Sequence, residues 1–125
     1  MLAQTLAVGI GGAIGAMARF GVGMAVLRVF GTGFPLGIIT VNVIGSFLMG
    51  LFVVVAAQRG FAHWSPFFMT GVLGGFTTFS AFSLEAYTLY ERGDVGQAGL
   101  YVGLSVVVSI AALVVGVWLG RSLFA

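Results

Sequence analysis

Gly71-Val72-Leu73-Gly74-Gly75-Phe76-Thr77-Thr78-Phe79-Ser80-Ala81-Phe82-Ser83 is the stretch on which the reading of this chain turns. It lies inside a run apolar enough to cross a bilayer, yet it carries glycines followed by hydroxyls alternating with aromatic rings. Glycine in a helix interior costs about 1 kcal/mol relative to alanine, and buried hydroxyls need partners. At membrane depth, irregular backbone is tolerated only where protein or a water-filled cavity covers it. The segment therefore predicts a membrane helix broken near residues 74–78, at a functional site and not on a lipid-facing surface.

The surroundings agree with a membrane setting. Of 125 residues, 60% are hydrophobic and 6% charged, with a mean hydropathy of +1.18. A soluble domain carries about 25% charged residues, so the chain reads as an all-α integral membrane protein. A span needs ~20 apolar residues. Four stretches qualify, predicting helices over about 2–27, 35–57, 65–90 and 96–120 in a single transmembrane domain, 1–125. Pro35 suits the first turn of the second helix. The N-terminal run lacks a basic leader and stays apolar past any cleavage site, so it reads as a first span and not a signal peptide.

Several functions are excluded. Cysteine is absent, which removes disulfides and thiolate metal sites, and His63 alone builds no metal centre. All five basic residues are arginine, and a dispersed net charge of +2 does not suit nucleic acid. No nucleophile stands beside a base. The glycine-rich segment lacks the lysine and the strand of a phosphate loop. The chain is not expected to be an enzyme.

The polar residues within the spans carry the remaining argument. Gly11 with Gly15, and Gly12 with Ala16, have the spacing that lets membrane helices approach closely. Arg19 lies deep in the first helix, where a charge is costly. It either snorkels to an interface or lines an aqueous vestibule that attracts anions, and Glu85 is its candidate partner. In the second helix Asn42 and Ser46 share a face, serving either helix–helix hydrogen bonding or a passing solute. In the third, Phe79 and Phe82 share one face and Ser80 and Ser83 another; ring packing is the plain alternative to a path lining. Tyr101, Ser105 and Ser109 form a stripe on the fourth helix, although membrane serines commonly bond the carbonyl four residues back.

Together Asn42, Thr77, Thr78, Ser80, Ser83, Tyr101, Ser105, Ser109 and Arg19 are a set rich in hydrogen-bond donors. Phenylalanine edges carry partial positive charge as well. Donors along a stripe suit an anion, and carbonyls freed at a helix break suit a cation. An even number of spans puts Arg59 and Arg121 on one side of the bilayer and Arg28 and Arg92 on the other. The positive-inside rule then finds almost no bias. Such a chain can insert both ways and pair as an antiparallel homodimer.

In Gly11-Gly12-Ala13-Ile14-Gly15-Ala16-Met17-Ala18-Arg19, Asn42-Val43-Ile44-Gly45-Ser46-Phe47 and Gly74-Gly75-Phe76-Thr77-Thr78-Phe79-Ser80, the chain resembles the CrcB/Fluc family of small fluoride channels. The likeness covers essentially the whole length, with no departure at the motif positions. It implies a dual-topology, antiparallel homodimer in the bacterial inner membrane, exporting fluoride passively from the cytoplasm along two pathways. It implies a structural Na⁺ at the dimer centre, held by the backbone carbonyls of Gly74 and Thr77. It places Phe79 and Phe82 on the fluoride path beside Asn42, continues that path along Tyr101, Ser105 and Ser109, and puts Arg19 at the vestibule. The alternative is a small dual-topology, proton-coupled multidrug exporter. That mechanism wants a membrane carboxylate in the first helix, and none is present.

Overall fold

The first helix, α1 (Leu2–Phe30), is packed through its glycines. Gly11 and Gly15 are buried in it. A Cβ at Gly11 would run into the carbonyl oxygen of Phe67, and one at Gly15 into that of Val72. From the facing segment, a Cβ at Gly75 would lie 2.6 Å from the carbonyl oxygen of Gly12. Two backbones touch here because neither carries a side chain. This is the packing that small residues at four-residue spacing allow in lipid, where apolar burial supplies no drive.

The computed structural model describes residues 1–124. After α1 the chain turns through residues 31–35 into α2 (Leu36–Arg59), with Pro35 at its N-cap. Gly60 ends α2 in the left-handed conformation, φ 73°, and returns its N–H to the Ala56 carbonyl. That conformation favours glycine, which has no Cβ to clash. A short 3₁₀ turn, Ala62–Trp64, leads into the third span. The last helix, α5 (Val95–Phe124), lies along α2 at close range. There Gly116 meets the Phe47 carbonyl and Gly50 the Leu113 carbonyl.

The third span, Pro66–Glu91, has two parts. Its first part, α3, is a π-helical run, Pro66–Leu73, continued by one α-turn, Gly74–Phe76. Thr77 then leaves helical geometry, with φ −90° and ψ 160°. Helix resumes as α4, Ser80–Glu91. The interruption thus occupies residues 77–79, at the C-terminal edge of the expected 74–78. The helices extend past the expected ends: α1 reaches Phe30 and not 27, and α5 reaches Phe124 and not 120. Charge does not stop them, because Arg28 and Arg121 sit in their last turns. Cations are favoured at that end of a helix dipole.

Four segments are therefore long and apolar enough to cross a membrane, and no strand occurs among the described residues. The chain is an all-helical, multi-pass membrane protein. Its compact apolar cluster is small: Phe82, Leu89, Ala98 and Tyr101, flanked by Phe34, Ile38, Ile39 and Ala86. It ties α4 and α5 to the start of α2. Large apolar side chains elsewhere, such as Ile10, Ile14 and Met17 on α1, face outward.

Candidate functional site

Asn42 is joined to the interruption at both ends of its amide. Its Oδ1 accepts the Thr78 N–H at 2.9 Å, and its Nδ2 donates to the Thr78 carbonyl at 3.1 Å. The side chain bonds both the N–H and the carbonyl of one residue, next to the extended Thr77, as a neighbouring strand would. That satisfies backbone groups which a broken helix leaves open, and unpaired groups at this depth are costly. One N–H of the Asn42 amide is left over, since the amide carries two donors. Gly45, one turn along α2, faces the same residues; a Cβ there would strike the Thr77 methyl.

The rest of the break is held by local hydroxyls. Thr77 Oγ1 donates back to the Leu73 carbonyl at 3.0 Å, as does the Thr77 N–H. Thr78 Oγ1 accepts the Ala81 N–H at 3.2 Å and lies 3.3 Å from Ser80 Oγ. In a continuous α-helix the Thr78 N–H would bond the Gly74 carbonyl, and the Ala81 N–H the Thr77 carbonyl. Both donors are directed elsewhere. The carbonyls of Gly74 and Thr77 thereby lose their helical partners.

A groove of about 600 Å³ opens beside this knot. It is lined by Asn42 and Ser46 of α2, by Gly74, Thr77, Thr78 and Phe79 at the break, by Phe82 of α4, and by Ser105 and Ser109 of α5. The two serines are distinctive. Ser83, Thr40 and Thr88 bond the carbonyl four residues back, at 2.9, 2.7 and 2.7 Å. The buried Oγ atoms of Ser105 and Ser109 have no hydrogen-bond partner among the described residues. A buried, unpaired hydroxyl costs about 1–3 kcal/mol, and these two border the same open space. Phe79 and Phe82 meet with ring centroids 5.4 Å apart. Phe82 is buried, whereas Phe79 is 77% exposed.

Not every expected residue reaches the groove. Ser80 is exposed and does not line it, although its Oγ lies 3.3 Å from that of Thr78. Tyr101 is in register with the two serines, but its ring is fully buried and its hydroxyl donates to Glu85 Oε2 at 2.7 Å. The expected Arg19–Glu85 pair does not form. Arg19 Nε donates instead to the Gly75 carbonyl at 3.0 Å, and Tyr101 takes the carboxylate. The reason is geometric: α1 passes so close to Gly75 that the arginine finds a backbone oxygen directly beneath it. Arg19 and Glu85 still line one cavity of about 450 Å³, which reaches the 31–35 turn and Arg92. Glu85 and Tyr101 are 16 residues apart in different helices, so no spacing on one helix could have linked them.

The arrangement can strip and replace part of an anion's hydration. Donors come from an amide, two hydroxyls and ring edges, with a guanidinium in the neighbouring cavity. Among the described residues, no three His, Cys, Asp or Glu side chains cluster to hold a metal. Any cation at the break would rest on carbonyl oxygens.

Comparison with known proteins agrees with the motif likeness. The family model described as "CrcB-like protein, Camphor Resistance (CrcB)" matches residues 6–117. The chain is 62% identical over 122 residues to a protein of Ruegeria sp. (strain TM1040) named fluoride-specific ion channel FluC, covering 97% of each chain. It is 70% identical over 104 residues to one of the same name from Jannaschia sp. (strain CCS1), covering 79% of this chain and 99% of that one. A third of that name, from Roseobacter denitrificans, is 59% identical over 94% of both chains. On a match spanning nearly its whole length, this chain belongs to the CrcB-like family.

Proposed function

We propose that the chain is a fluoride-selective channel that lets fluoride leave the cytoplasm passively across a bacterial inner membrane. The observation that carries this reading is the convergence on one groove of Asn42, Phe82 and the two unspent hydroxyls of Ser105 and Ser109. Fluoride is small and holds its water strongly, so a path must offer replacement donors at each step. Selectivity in pores rests on such coordinating groups. The free Asn42 N–H, the serine hydroxyls and the edges of Phe79 and Phe82 supply them in sequence. Arg19, in the adjoining cavity, would raise the local anion concentration. The names of the relatives point the same way.

The groove is open on one side, and Gly74 and Phe79 are exposed along it. A second copy in the opposite orientation would close it and give two equivalent paths. The near balance of arginines at the two ends permits that orientation. The carbonyls of Gly74 and Thr77 suit a sodium ion at the centre of such a pair. Their helical donors are spent on Asn42 and on Thr78 Oγ1, which leaves hard oxygen ligands facing the break. A bound ion there would supply fixed positive charge and hold the two breaks together. The carrier alternative has less support. Glu85, the carboxylate within the third span, accepts the Tyr101 hydroxyl and does not border the groove.

The test is anion efflux from proteoliposomes of the purified protein. Fluoride should leave rapidly and chloride should be retained; equal retention of both, or equal loss, defeats the reading. Exchange of Na⁺ for a large organic cation in the same assay should slow fluoride efflux or split the dimer. Indifference to that exchange counts against the carbonyl site.

A further inference from the structure

Four aromatic rings run in file from the α1–α2 turn to the break. Phe34 meets Tyr101 edge-on, with centroids 5.7 Å apart and planes at 72°. Tyr101 meets Phe82 at 5.4 Å and 32°, and Phe82 meets Phe79 at 5.4 Å. The file joins the two open spaces of the molecule. Phe34 and Glu85 border the cavity that holds Arg19. Phe82 and Phe79 border the groove that holds Ser105 and Ser109. Tyr101, fully buried, is packed between Phe34 of the first and Phe82 of the second.

Two contacts hold Tyr101. Glu85 fixes the hydroxyl end of Tyr101. Phe34 braces its ring. Phe34 itself is placed by its neighbour, because a residue before proline is restricted to extended backbone. Pro35 caps α2 and so anchors Phe34 to the helix that also carries Asn42. The Phe34 ring is thus the outer brace of a stack whose inner end lines the groove.

We infer that Phe34 is a positioning residue of the anion path: its ring sets Tyr101, and through Tyr101 sets the angle at which Phe82 presents its edge to the groove. The inference rests on reading the groove as the anion path. It requires an aromatic ring at position 34 and not merely apolar bulk, because edge-to-face placement is a property of the ring.

The experiment compares Phe34→Leu, Phe34→Met and Phe34→Tyr with the parent in fluoride efflux from proteoliposomes. Each is normalised to the protein recovered as a single folded peak in detergent. Phe82→Ile is the control for the path itself. The expected result is at least a tenfold loss of fluoride flux in Phe34→Leu and Phe34→Met, retention within about twofold in Phe34→Tyr, and a severe loss in Phe82→Ile. Parental flux in Phe34→Leu or Phe34→Met, with Phe82→Ile still impaired, overturns the inference and leaves the path in place. Equal loss in all three Phe34 variants also overturns it, since the ring would then not be what matters. Parental flux in Phe82→Ile removes the path reading and the inference with it.

Discussion

At Asn42 one side chain does the work of a strand, and replacing its amide by a carboxylate separates the two halves of that work. Asn42→Asp keeps an acceptor for the Thr78 N–H but loses the donor to the Thr78 carbonyl. An orphaned polar group of this kind costs about 1–3 kcal/mol. A full negative charge would also stand beside the groove, where it repels an anion. Fluoride efflux should fall about tenfold or more, since about 1.4 kcal/mol is a factor of ten; unchanged efflux would show that the clamp is dispensable. How much of this was legible beforehand differs from residue to residue. Asn42, Ser105 and Ser109 stood out because polar groups are rare in such apolar helices. That Asn42 binds the backbone of Thr78 was not legible, because the partner lies 36 residues away and is a main-chain group without a sequence signature. Phe34 was silent for another reason: a phenylalanine in an apolar chain is unremarkable until its neighbours are known.

The helices α1 and α3 pack backbone against backbone. The spacing of Gly11 and Gly15 announced a close contact, but not with which helix. Gly75→Ala places a methyl 2.6 Å from the Gly12 carbonyl oxygen, where only backbone could give way. Overpacking of this kind costs about 1–3 kcal/mol. Gly21→Ala on the same helix α1 meets nothing within 4 Å, and its gain in helix propensity is at most about 1 kcal/mol. Thermal unfolding of the detergent-solubilised protein should therefore drop for Gly75→Ala and hold or rise for Gly21→Ala. A rise in both variants would mean that the glycines matter only as helix weakeners. Composition revealed the four spans, since little but a membrane helix is that apolar for that long. The π-helical course of Pro66–Leu73 was hidden, because no residue type demands it and tertiary contact with α1 accompanies it.

For the molecule as a whole, the two ends are close to balanced in arginine, with Arg59 and Arg121 at one and Arg28 and Arg92 at the other. Thr32, exposed in the α1–α2 turn, reports which way a subunit faces. The chain contains no cysteine, so Thr32→Cys introduces a unique thiol. In sealed cells a membrane-impermeant maleimide should label about half of the protein, and the remainder only after permeabilisation, as nearly equal loop charges predict. Complete labelling, or none, before permeabilisation would rule out two orientations. The Asn42 clamp also bears on how such a chain is made. Thr77 leaves helical geometry, and in lipid alone the peptide groups of Thr78 that Asn42 bonds would be exposed. The helix that carries Asn42 precedes the interrupted span in the chain and is synthesised first. Had the order of the two segments been reversed, the ribosome would deliver the break before the Asn42 amide that bonds Thr78. The succession of helices along the chain is thus a timetable for membrane insertion as well as a plan of the fold.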